Sequence, residues 1–135
     1  MNYWLVKTEP DEYSLNDLLK DGTAIWDGVR NYQARNNLKK MKKDDLVFVY
    51  HSGKVREVVG LAKISRESYQ DPKDKTNGWV VVELRSEKKL NKSITLEDIK
   101  HEKKLSQMPL LKQSRLSVMP ITFLEYETIL AMSES

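Results

Sequence analysis

Four runs of apolar, β-forming residues constrain this chain more than anything else in it: Tyr3-Trp4-Leu5-Val6-Lys7, Leu46-Val47-Phe48-Val49-Tyr50, Val58 to Ile64, and Trp79-Val80-Val81-Val82-Glu83-Leu84. Each has strand length and none is long enough for a buried helix, so they must pair with one another to satisfy their backbones. Arg115 to Val118 suits a further short strand. Between the runs lie helix signals. Ser14 with Asp17 three residues on begins a short helix that Gly22 stops, and Asn31 to about Met41 reads as a second. Thr95 with Asp98 caps a third through about Lys103, and Thr122 with Glu125 starts a last one, with Phe123, Tyr126, Ile129 and Leu130 as its apolar stripe. Asp44-Asp45 turns the chain into the second run, and Ser65 to Gly78 is a long polar loop holding Asp71-Pro72 and Asn77-Gly78. Gly60 interrupts its strand, where a bulge or sharp curvature is expected. The fold class is α+β, built around a curved sheet.

At 135 residues the chain is read as one domain, 1–135. It is expected to bury roughly two-thirds of its unfolded surface, enough to need no metal or disulfide. With no Cys, a disulfide framework, a thiolate zinc site and a cysteine nucleophile are excluded. No leader and no membrane-spanning run is visible, which suits a soluble cytoplasmic protein, or a nuclear one in a eukaryote. The net charge of +3 is unevenly spread. Residues 1–27 sum to −4, whereas residues 28–43 carry six bases and no acid and residues 84–115 sum to +5. Positive charge gathered in two segments suits a local anion-binding face, with solvated helix faces as the plainer alternative.

One segment carries chemistry. From Trp26 to Asn37 the chain packs two aromatic rings, two guanidiniums and a series of side-chain amides into twelve residues. A core would reject the polar groups, and a surface built for solubility would not place a Trp and a Tyr beside them. The mixture fits a flat ligand with polar edges: rings stack on a base, amides read its edge and Arg pairs with phosphate. Trp26 is the expected stacking platform, an indole left uncovered, with Val29 beside it. Trp4 and Trp79 lie in strand-like runs and are expected in the core.

Each neighbouring residue has a structural alternative. Asn31, Arg35 and Asn36 can offer amides and a charged fork to a nucleotide; equally, Asn31 can cap the helix and Arg35 can pair with an N-terminal acid. Arg30 can meet phosphate or pair with Asp27. Tyr32 can wall a pocket or pack its helix onto the sheet. Tyr50-His51-Ser52 ends a strand, where side chains leave the core, and His51 and Ser52 are read as contacts with no catalytic role. No nucleophile elbow and no spaced set of metal ligands is present, and His51 and His101 are the only histidines. Ser114-Arg115-Leu116-Ser117 is expected to form a second wall, with Arg115 on phosphate or base, or else tying its loop to the acidic N-terminal segment. Lys7 is expected either to bridge to Glu9 or to reach the pocket.

Four ordered blocks of the sequence are similar to one family. Tyr3 to Pro10, Trp26 to Asn36, Phe48 to Ser52 and Gln113 to Pro120 resemble EVE-domain proteins. The resemblance implies a PUA-like fold, a strongly curved mixed sheet or pseudo-barrel with helices around it, and kinship with YTH domains, which hold a modified adenine in an aromatic pocket. It further implies a reader of modified bases, modified cytosines in DNA among them. Tyr69-Gln70-Asp71-Pro72 follows the same pattern, but the segment after it is shorter than in many relatives, which would alter the rim of a pocket. The functional expectation is a non-catalytic protein, without metal or cofactor, that captures one extruded or unpaired modified nucleotide of DNA or RNA. The competing readings are an enzyme acting on nucleotides or RNA, an RNA-binding module without selectivity for modification, and an adaptor using the last helix.

Overall fold

In the computed structural model, which describes Met1–Ser135, the apolar runs pair into one six-stranded mixed sheet. The strands are β1 (Tyr3–Thr8), β2 (Thr23–Trp26), β3 (Leu46–His51), β4 (Glu57–Gln70), β5 (Val80–Thr95) and β6 (Val118–Ile121). Their spatial order is β2-β5-β4-β3-β1-β6. Only β1 and β3 run parallel; every other neighbouring pair is antiparallel. Five helices surround the sheet: α1 (Leu15–Asp21), α2 (Tyr32–Lys40), α3 (Leu96–Lys100), α4 (Pro109–Lys112) and α5 (Phe123–Glu134). Ser14, Thr95 and Thr122 close capping boxes on α1, α3 and α5, as their sequences predict.

The sheet is strongly curled. Helix α2 packs against β6 at one edge and against β5 toward the other. In a flat sheet those two strands would lie roughly 19 Å apart, at ~4.8 Å per strand, whereas a nine-residue helix is roughly 13 Å long. The bending is localised where register is lost. The β3/β4 pairing shifts between Val49 and Tyr50 and the β4/β5 pairing between Val58 and Gly60, with three further shifts down to Tyr69. The expected irregularity at Gly60 is therefore present, and its missing Cβ has a second use. A Cβ there would lie 2.7 Å from Leu15 Cδ2, so the glycine makes room for α1 to seat on the sheet.

Thirty-two buried residues form one hydrophobic cluster inside the curl. Two buried polar residues organise its ends. Asp45 follows Asp44, whose φ is +72°, and its carboxylate accepts from Trp4 Nε1 at 3.0 Å, Lys42 N at 2.9 Å and Asn2 N at 3.1 Å. Asn37 donates from Nδ2 to Val118 O at 2.8 Å, fixing α2 to β6.

Several expectations need correction. Strand β2 was not foreseen, because four residues are too few to show a period. The strand expected over Arg115–Val118 lies at Val118–Ile121 and leaves 113–117 as a loop; it is an edge strand, which is why it tolerates Pro120. The loop expected from Ser65 begins only after Gln70, since these polar residues continue β4 along the partly exposed end of a long hairpin, paired with β5 as far as Gln70 and Val80. In α5, Ile129 is buried and Tyr126 stacks on Tyr3 and Phe48, but Phe123 at the first helical position is exposed. Trp79 is half-buried beside β5, not in the core, and its ring stacks on Tyr32 at 5.0 Å.

Candidate functional site

Because the sheet curls without closing, edge strand β2 comes to face the loop that leads into the opposite edge strand, β6. An open cleft of about 870 Å³ occupies that seam. Its walls come from distant stretches of chain: the end of β1 with the turn after it, Asp21 with the run Thr23–Arg30, and Ser114, Arg115 and Ser117 with Ser52. Gly28, at φ +76°, turns the chain sharply after Trp26-Asp27, which lets Val29 bury while Arg30 comes back to the rim.

Trp26 lies against the cleft, but it is not the bare platform its sequence suggests. As the last residue of β2 it points inward and is only 8% exposed. Tyr13 meets its ring edge-on, with centroids 6.3 Å apart. The indole is thus anchored in the core and shows only a rim to the hollow. This corrects the uncovered geometry while keeping the cavity beside the ring.

The cleft lining carries both signs of charge. Its cations are Lys7, Arg30 and Arg115. The Lys7 ammonium donates to Ser114 O at 2.9 Å and lies 5.8 Å from the Tyr50 ring centroid, and burial pulls its pKa down. This replaces the expected Lys7–Glu9 bridge. Arg30 does not pair with Asp27. It bonds Asp71, a carboxylate only 1% exposed, at 3.1 Å. Burial works to raise the Asp71 pKa, but hydrogen bonds from the Lys73 backbone and from Arg30, together with the Arg30 charge, outweigh it and hold the group ionised. Arg115 is exposed and makes no ion pair, so it does not tie its loop to the N-terminal acids.

Its acids are Glu9, Glu12, Asp21 and Asp27. Asp21 accepts from the Tyr13 hydroxyl at 2.8 Å; burial first, and Asp21 second, raise the Tyr13 pKa. Asp27 pairs with Lys73 at 3.3 Å. Chemically, such a cleft offers acceptors to an amino group and cations to an oxyanion or carbonyl.

Of the expected residues, Lys7, Trp26, Val29, Arg30, Ser52, Ser114, Arg115 and Ser117 meet here. Asn31 and Leu116 do not, although both border a smaller hollow on the other side of Ser114 and Arg115. Asn31 is the N-cap of α2, its Oδ1 accepting from Ala34 N at 2.9 Å, and Leu116 is buried. Tyr50 is 2% exposed and belongs to the core, because β3 is covered on both faces up to its last residue. His51 turns away: its Nε2 accepts from Leu15 N at 3.0 Å, closing the first turn of α1. Arg35 pairs with no acid, donating instead to Gly78 O and Asn36 Oδ1. Tyr32, Arg35 and Asn36 therefore sit on the outer face of α2, outside the cleft. Sequence reasoning missed Tyr13, Thr23, Ala24 and Ile25. The last three precede Trp26 directly, and the β-branched Thr23 and Ile25 were the available signal; Tyr13 gave none.

A curled mixed sheet, short capped helices and a polar cleft at its open seam define a small α+β domain of the PUA-like kind. The EVE domain model matches residues 2–132, and the chain belongs to that family. Mouse thymocyte nuclear protein 1 is 37% identical over 168 residues, covering 99% of this chain and 74% of the mouse protein. A protein from Leishmania major superposes with a TM-score of 0.93 at 40% identity, covering 99% of this chain and 95% of that one. Human THYN1, solved in complex with 5-methylcytosine-containing DNA, superposes with a TM-score of 0.91 at 31% identity, covering 100% of this chain and 99% of that one.

Proposed function

We propose that the chain is a non-catalytic reader of modified bases in nucleic acid, taking one extruded or unpaired base into the cleft beside Trp26. The observation that carries this reading is the mixed lining of that cleft, cations and acids beside the Trp26 rim, in a family with a member solved on 5-methylcytosine DNA. Cytosine presents an exocyclic amine and a carbonyl, and carboxylates accept from that amine. Glu9 and Asp27 supply such acceptors, while Lys7 and Arg115 face the carbonyl and the flanking phosphates. A methyl group at C5 is satisfied by apolar contact, which the Trp26 rim, Ala24 and Val29 offer.

The magnitude of selectivity follows from the chemistry. One methyl in a close-fitting niche discriminates about 10- to 200-fold. Titration of the protein with matched single-stranded oligonucleotides, one carrying 5-methylcytosine and one cytosine, measures it directly. A preference for the modified strand in that range is expected. Equal affinities would leave a nucleic-acid binder without selectivity for modification, and no binding to either strand would defeat the reading altogether.

A further inference from the structure

Arg30 has two sides. One faces the cleft; on the other its guanidinium lies 5.5 Å from the Trp79 ring centroid. Trp79 stacks in turn on Tyr32, with centroids 5.0 Å apart and planes 24° from parallel. The Arg35 guanidinium is 4.9 Å from the Tyr32 centroid and 5.8 Å from that of Trp79. A group over the far face of Tyr32 would stand roughly 10 Å from Trp79, the sum of two stacking steps. Arg35 therefore flanks the pair and leaves the outer Tyr32 face open, in keeping with that residue's 67% exposure.

We infer that Tyr32, backed by Trp79 and flanked by Arg30 and Arg35, is a second stacking site that holds the base next to the one in the cleft. The stacked rings have two guanidiniums beside them, Arg30 and Arg35, both from a segment with six bases and no acid. Every nucleobase has a face to stack, and the guanidiniums supply the counter-charge for its phosphate, so the platform suits any base identity. The inference rests on the cleft reading and adds to it. It makes the ligand at least a dinucleotide, with a neighbour whose face toward the captured base is left unstacked.

Tyr32→Ala and Tyr32→Phe test it on single-stranded 5-methylcytosine oligonucleotides, with the isolated 5-methylcytidine nucleoside as a control lacking the neighbour. The Ala variant is expected to lose about 5- to 150-fold on the oligonucleotide and nothing on the nucleoside, with the preference for methylation unchanged. The Phe variant should bind as the parent does. A 5-iodouracil placed next to the modified cytosine should photocrosslink to Tyr32, or to Trp79 where Tyr32→Ala uncovers it. Undiminished oligonucleotide affinity in Tyr32→Ala, with no crosslink to either ring, would overturn the platform while parent binding and methyl preference left the cleft reading standing. Failure of the parent protein to bind any strand would remove the cleft reading first.

Discussion

At the scale of single residues, the free cation of the cleft and the histidine behind it give the sharpest expectations. Arg115 is exposed and unpaired, so Arg115→Ala should leave thermal unfolding unchanged. Oligonucleotide affinity should fall about ten-fold or more, because a hydrogen bond to a charged group contributes ~1.5–3 kcal/mol. An unchanged dissociation constant would take Arg115 out of the site. His51 plays a structural part. Burial, against a smaller opposing pull from Glu57, holds its pKa below the ordinary 6.5, as befits an imidazole that accepts from Leu15 N. The fold prefers the neutral ring, so the associated stability is complete above pH 6.5 and is lost as pH falls through the depressed native value. Denaturant melts at pH 7.5 and pH 5 should differ more in the parent than in His51→Ala. The sequence reads both as contacts; Arg115 lies on the cleft lining, whereas His51 turns toward α1. Which way a strand-end side chain turns is set by the helix packed beside it, and nothing local to His51 records that helix.

At the scale of elements, α1 and the loop between β4 and β5 are the parts most easily disturbed. Gly60 leaves the space that Leu15 fills, so Gly60→Ala forces the buried Leu15 side chain to repack. Overpacking of this kind costs about 1–3 kcal/mol, to be read as a lowered denaturant midpoint. In the loop, Asp74 accepts from Thr76 Oγ1 and from the backbone of Thr76, Gly78 and Trp79. These bonds bring its pKa down from 3.8 to about 2. A depressed carboxylate contributes stability that is present above the unfolded value and is lost as pH falls through the native one. Acid unfolding of Asp74→Ala should therefore be shallower than that of the parent between about pH 4 and pH 2. The elements themselves were largely legible, because capping boxes at Ser14, Thr95 and Thr122 and apolar runs of strand length are local signals. The short strand β2 and the displaced β6 were not. Their pairing is supplied by β5 and β1, far away in the chain, and short strands carry too little pattern of their own.

For the molecule as a whole, the modest net charge of +3 and the four acids on the cleft lining argue against a protein that holds nucleic acid mainly by bulk electrostatics. With roughly three phosphate contacts, from Arg30, Arg35 and Arg115, log K should fall with log salt at a slope of about −2 on a single strand, ~0.7 per phosphate. A slope several times steeper would point to a broad basic face in place of a cleft with a flanking platform. By itself, the sequence determined that this chain forms a curved sheet with capped helices and that Trp26 to Asn37 carries unusual chemistry. Both are written in neighbouring residues, as period, cap and composition. Only the tertiary structure decided that this segment splits, Trp26 to Arg30 going to the cleft and Tyr32, Arg35 and Asn36 to the outer face of α2. The same is true of the acids near the N-terminus, which share one cleft with the cations. Those outcomes depend on how far the sheet curls, and curl is summed over bulges and pairings between strands that do not adjoin in the chain.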